Sequence, residues 1–114
     1  MFIVLKKQQL VKWNYEFFAG LASVQEMILS NNFLTQIPVA ALKNLKSLKV
    51  LNLSGNLLQN LEGVNMKAFN QISVLDLSRN RLSDIPRGFF TEMKNLKEIN
   101  LGVNQLRTVR FFAH

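Results

Sequence analysis

Residues 74–90 read VLDLSRNRLSDIPRGFF. Leu75 and Leu77 stand two apart, as inward positions of a strand do. Leu82, Ile85 and Phe90 then follow neither the strand period of two nor the helical period of about 3.6. Asn80 separates the two regimes, and Pro86 forbids a ladder donor in the second. The stretch therefore asks for a short strand, a sharp turn at Asn80, and an irregular return with one buried side.

The same order recurs along the chain. MILSNNFLTQIP (27–38), VLNLSGNLLQNLE (50–62) and EINLGVNQLRTVR (98–110) superpose on it. Asn32, Asn56, Asn80 and Asn104 follow one another at 24 residues, and one period earlier stands Gln8. Five before this origin lie Ile3, Met27, Leu51, Leu75 and Ile99; three before it lie Leu5, Leu29, Leu53, Leu77 and Leu101. After it come Leu10, Leu34, Leu58, Leu82 and Leu106, then Trp13, Ile37, Leu61, Ile85 and Val109. The columns Phe18–Leu42–Met66–Phe90, Leu21–Leu45–Phe69–Met93 and Val24–Leu48–Ile72–Leu96 complete the period. Every one of these positions is apolar, so self-similarity organises the whole chain.

The pattern LxxLxLxxNxLxxIPxxxFxxLxx resembles the leucine-rich repeat, in the 24-residue "typical" subfamily found in extracellular regions of the Toll and chaoptin type. Gln8, Glu62 and Asn14 depart from the asparagine and proline positions, and His114 falls where a core aromatic is expected. The resemblance implies an α/β fold: a right-handed solenoid, a horseshoe segment, with a parallel β-sheet on the concave face and irregular or briefly helical returns on the convex face. It implies one domain over 1–114 of nearly five repeats, about 1–23, 24–47, 48–71, 72–95 and 96–114; similar proteins usually carry cysteine-rich caps, and without cysteine both ends are expected to be uncapped. Each turn can bury its leucines only against a neighbour. The asparagines are expected to form a buried column, because one amide both donates to and accepts from the backbone groups a turn leaves unpaired.

Composition narrows the function classes. The chain has 114 residues, a one-domain length, with 48% hydrophobic and 18% charged residues. No apolar run reaches the roughly 18–20 residues of a membrane span. MFIVLKKQQL has a short apolar stretch followed by lysines, the wrong order for a signal peptide, so neither export signal nor anchor is expected in these residues. Cysteine is absent and His114 is the one histidine, which leaves no thiolate chemistry and no cysteine or multi-histidine metal site. No glycine-rich phosphate loop is present, Asp76 and Glu98 fall in different rows, and Asp84 belongs to a turn. The expectation is a non-enzyme without cofactor or metal.

Residues between the inward leucines face outward from the sheet. One row is Phe2, Glu26, Val50, Val74, Glu98; the next is Val4, Ile28, Asn52, Asp76, Asn100; a third is Lys6, Ser30, Ser54, Ser78, Gly102. By the resemblance, Glu26, Ile28, Val50, Asn52, Val74, Asp76, Glu98 and Asn100 are the candidate contacts for a protein ligand. The competing reading takes the Ser, Asn and Asp residues as soluble filler, since none of these eight candidates is an aromatic or arginine anchor of a hot spot. Past the asparagines, Phe33 and Leu57 are either a lateral binding edge or tucked under their loops.

Net charge is +7, and lysines cluster in KNLKSLK (43–49) and KNLKE (94–98). They alternate with core leucines, which describes a solvated outer face. Binding of glycosaminoglycan or nucleic acid there is a further alternative, although no basic residues interleave with stacking aromatics. Asn52-Leu53-Ser54 is a glycosylation sequon of the kind chance provides once in such a composition. The leading expectation is a protein-recognition module from a longer receptor-like or secreted protein, at the cell surface or outside the cell. An intracellular, cytoplasmic scaffold is the alternative. Phe111 and Phe112 are expected either to cover the last turn or to leave it open to end-to-end self-association.

Overall fold

The computed structural model describes residues 2–4 and 21–106. Five strands, β1 (Phe2–Val4), β2 (Glu26–Ile28), β3 (Val50–Asn52), β4 (Val74–Asp76) and β5 (Glu98–Asn100), form one parallel sheet in chain order. The register is the sequence period itself: Met27 pairs with Leu51, Leu51 with Leu75, and Leu75 with Ile99. Parallel neighbours need a long crossover, and the return segment of each repeat supplies it.

Hydrogen bonding continues beyond the three-residue strands. Leu29, Leu53 and Leu77 donate their N–H groups to Asn52, Asp76 and Asn100 of the next strand, each at 2.8 Å. Leu57, Arg81 and Gln105 donate back to Leu34, Leu58 and Leu82 at 2.8–2.9 Å, on the far side of the asparagine turn. Each turn is thus tied to its neighbours before and after the asparagine.

The returns are short and differ from copy to copy. The first holds a single helical turn, α1 (Val39–Leu42), entered through Pro38, which lacks the N–H that a helix start would leave unpaired. The second holds a 3-10 turn, Met66–Phe69, whose Lys67 N–H is accepted by Asn65 Oδ1 at 2.9 Å. The third is built from simple turns such as Phe89 N–H to Pro86 carbonyl, 3.1 Å. On the outer side, Gln71 Nε2 donates to the Leu45 carbonyl and Asn95 Nδ2 to the Asn70 carbonyl, binding successive returns together.

Between sheet and returns lies a continuous core. Met27, Leu29, Leu51, Leu53, Leu75 and Leu77 are fully buried from the sheet side; Leu42, Leu45, Met66, Phe69 and Met93 close it from the other. Burying one such side chain stabilises by roughly 1.5–3 kcal/mol, and none of it is available to an isolated turn. One column departs from expectation. In the fourth repeat Phe89 takes the deeply buried place and Phe90 is half-buried, the two rings meeting edge-to-face with centroids 4.9 Å apart. Asp84, expected in a turn, forms an isolated β-bridge.

The expectations for Met1, Leu5, Lys6, Gln8, Leu10, Trp13, Asn14, Phe18, Val109, Phe111, Phe112 and His114 lie outside the described residues. No helix among the described residues is long and apolar enough to cross a membrane.

Candidate functional site

The asparagine column sets the site's backbone. Asn56 Oδ1 accepts the N–H groups of Asn32 and Leu34, both at 2.9 Å. Its Nδ2 donates to the carbonyls of Leu29, Leu53 and Ser54 at 2.9–3.2 Å. Asn80 repeats this with Leu58 N–H as donor and Leu53, Leu77 and Ser78 as acceptors; Asn104 does so with Leu82, and with Leu77, Leu101 and Gly102. Asn32 donates to Leu29 and Ser30. Asn56, Asn80 and Asn104 thus each stitch their own turn to the preceding one, while the bonds of Asn32 to Leu29 and Ser30 lie within its own turn.

Turning the chain into that column demands a left-handed residue. Asn31, Gly55, Arg79 and Val103, each just before a column asparagine, have φ of 58°, 66°, 56° and 53°. Only Gly55 is free of the steric cost that an L side chain meets there. Phe33 is a further case, with φ of 59° just after Asn32.

The sheet's open face carries the predicted rows. Glu26, Ile28, Val50, Asn52, Val74 and Asp76 are half-buried, while Glu98 and Asn100 on β5 are exposed. Parallel register places Glu26, Val50, Val74 and Glu98 abreast, with Ile28, Asn52, Asp76 and Asn100 abreast beside them. Val4 is exposed next to Ile28, so an apolar diagonal runs Val4, Ile28, Val50, Val74.

The second row has another task that the sequence reading missed. Oδ1 of Asn52, Asp76 and Asn100 accepts the N–H of Ser54, Ser78 and Gly102, each at 2.9 Å. These Asx bonds finish each strand, and the recurring spacing [Asn/Asp]-Leu-[Ser/Gly] was the available signal. Ser78, expected to face solvent, is buried, its hydroxyl donating to Asp76 Oδ1 at 2.6 Å. A strand-end position two residues before the column asparagine is close enough to the turn to be covered by it.

On the lateral edge the alternatives divide. Phe33 stands 63% exposed, whereas Leu57 is half-buried. Arg79 and Arg81 are exposed on the same edge, and Val103 is 77% exposed. Lys43, Lys46, Lys49, Lys94 and Lys97 are exposed along the returns and the strand entries. Among the described residues no cluster of acidic or histidine side chains could hold a metal ion.

A family model described as leucine rich repeat matches residues 3–58, 22–82 and 70–114. No curated protein matches the sequence. Among solved structures, the leucine-rich repeat domain of APL1B is similar at 22% identity and a TM-score of 0.75, over 92% of this chain and 29% of that one. An internalin, InlF, from Listeria monocytogenes gives 20% and 0.61, over 85% of this chain and 31% of that one. Internalin C2 from the same species gives 23% and 0.55, over 84% and 50%. The chain thus spans between under a third and half of the length of these structures, and the likeness concerns the fold. Since the family model follows the repeat from residue 3 to residue 114, and the sheet keeps the same 24-residue register, the chain belongs to the leucine-rich-repeat family.

Proposed function

We propose that the chain is a protein-recognition module whose sheet wall contacts a protein partner, working within a receptor-like or secreted protein. Repeats of this family generally serve as protein-binding modules and are typically not enzymes, and stacked repeats create extended walls suited to that use. The observation carrying the reading is the apolar diagonal of Ile28, Val50 and Val74 on the open sheet face, with Glu26 and Glu98 at either end of the valine row. It offers about one side chain's width of desolvation per strand, with charges at the margins to set register.

The test is capture of a partner by a photocrosslinking residue placed at Glu98, beside Val74 in the row, with and without Val50→Asp/Val74→Asp in the same chain. Capture that survives raised salt and disappears in the double variant is the expected outcome. Capture that persists in the double variant but fades steeply with salt overturns the reading in favour of an anionic ligand on the exposed lysines.

The isolated chain is also expected to associate end to end. Leu96, Ile99, Leu101 and Leu106 are half-buried, while their counterparts Leu48, Leu51, Leu53 and Leu58 are almost wholly enclosed. A monodisperse monomer in light scattering at tens of micromolar would remove this property.

A further inference from the structure

The lateral edge formed by the asparagine turns differs in chemistry from the sheet wall. Residues 30–35, 54–59, 78–83 and 102–106 make up this edge, and they include Arg79 and Arg81 but no Asp or Glu. Aromatic and arginine side chains are the ones that dominate binding energy at protein interfaces, and both types stand here, exposed. On the wall, strands β2 to β5 carry neither.

Two further features give the edge shape. A groove of about 510 Å³ begins at Asn32 and Phe33 and runs along the return past Thr35, Gln36 and Pro38 to α1. The backbone on which the side chains sit is held at short intervals: Arg79 N–H to Gly102 carbonyl and Arg81 N–H to Leu58 carbonyl are both 2.8 Å. Side chains on such a frame need little ordering when a partner arrives. Phe33 in particular keeps a left-handed backbone that disfavours a bulky residue.

We propose that this edge is a second docking surface, for an extended, acidic protein segment whose aromatic or leucine side chain packs on the exposed Phe33 ring at the mouth of the groove while its carboxylates meet Arg79 and Arg81. Exposed Arg79 and Arg81 outweigh the one exposed acid beside them, Asp84, and so favour a negative partner, and guanidinium groups pair with carboxylates in a bidentate manner. Exposed Phe33 and Val103 with half-buried Leu57 give apolar contacts that a sulfated sugar cannot use, so the occupant is protein. Phe33 and Arg81 lie two turns apart, about 10 Å at a strand spacing of about 4.8 Å. An extended segment covers that in about three residues. The recognised pattern is therefore an aromatic or leucine with Asp or Glu three residues away.

The test is selection of random peptides displayed on phage against the full chain, followed by anisotropy titrations of the enriched peptides. Enriched peptides are expected to carry that pattern. Their affinity should fall by about tenfold or more in Arg81→Ala and in Phe33→Asn, and stay unchanged in Val50→Asp/Val74→Asp. Phe33→Asn should melt no lower than the parent, because asparagine tolerates a left-handed backbone, so a lost affinity is not lost folding. Arg79→Glu/Arg81→Glu should turn the selection toward basic peptides. Enrichment without acidic residues, affinity indifferent to both edge substitutions, or sensitivity to the Val50/Val74 pair alone would overturn the proposal. So would heparin oligosaccharide binding equally well to the parent and to Phe33→Asn.

Discussion

Asn56 and Leu34 belong to successive turns of the chain, and the Asn56 side-chain oxygen accepts the Leu34 N–H at 2.9 Å. The same amide serves Asn32, Leu29, Leu53 and Ser54, so one side chain satisfies donors and acceptors of two turns. Asn56→Ala should therefore lower stability by about 1–3 kcal/mol or somewhat more, since it orphans several buried backbone groups at once. Asn104→Ala should cost less, because Asn104 is only half-buried and water reaches its partners. Urea denaturation of the two variants gives the comparison; an equal loss would contradict a burial-dependent column.

Gly55 and Gly63 both have positive φ, 66° and 74°, yet they differ in space. A Cβ on Gly55 would run into Asn31 Oδ1, whereas one on Gly63 meets nothing within 4 Å. Gly63→Ala should cost about 1–2 kcal/mol, the penalty of a left-handed backbone. Gly55→Ala should cost more than that, and Gly55→Ala combined with Asn31→Gly should recover the excess. Thermal melts of the set separate the two contributions.

Phe69 is fully buried on the return side of the core, and Phe33 is largely exposed on the edge. Phe69→Ala should lose about 3–5 kcal/mol. Phe33→Ala should shift stability by no more than about 0.5 kcal/mol, as surface substitutions do. Chemical denaturation reads both, and a large loss for Phe33→Ala would place that ring in the core.

Asp76 accepts the Ser78 N–H in the same manner as Asn52 with Ser54 and Asn100 with Gly102. Asp76→Asn should consequently be nearly neutral, and Asp76→Ala should lose about 1 kcal/mol by leaving the Ser78 groups without that acceptor. If a partner docks on the wall through charge, Asp76→Asn should still slow its association, which stopped-flow measurement in low salt detects.

Much of the architecture was legible because it repeats. Leu75 and Leu77 imply an inward strand face, and their counterparts at 24-residue steps leave one register that buries all of them together. Asn80 was readable as a turn residue because a primary amide is the side chain that both donates and accepts. The Asx bonds of Asn52, Asp76 and Asn100 were present in the spacing but not read, since an outward polar residue on a strand looks like solvent-facing filler.

The period, the inward columns and the asparagine column follow from residue order alone. Each depends on a requirement repeated in every copy: apolar surface must leave water, and buried backbone groups need partners. Tertiary structure alone decided the fates of residues in equivalent positions. Ser78 is buried while Ser54 is half-exposed, Phe89 rather than Phe90 reaches deepest, and Phe33 stands out where Leu57 partly tucks in. The 24-residue period alone puts Phe33 and Arg81 at equivalent positions, and the stacked turns decide that both stand exposed there with Arg79. These outcomes differ because burial at a repeat's margins depends on what the neighbouring turn presents, and a residue's own repeat does not contain that information.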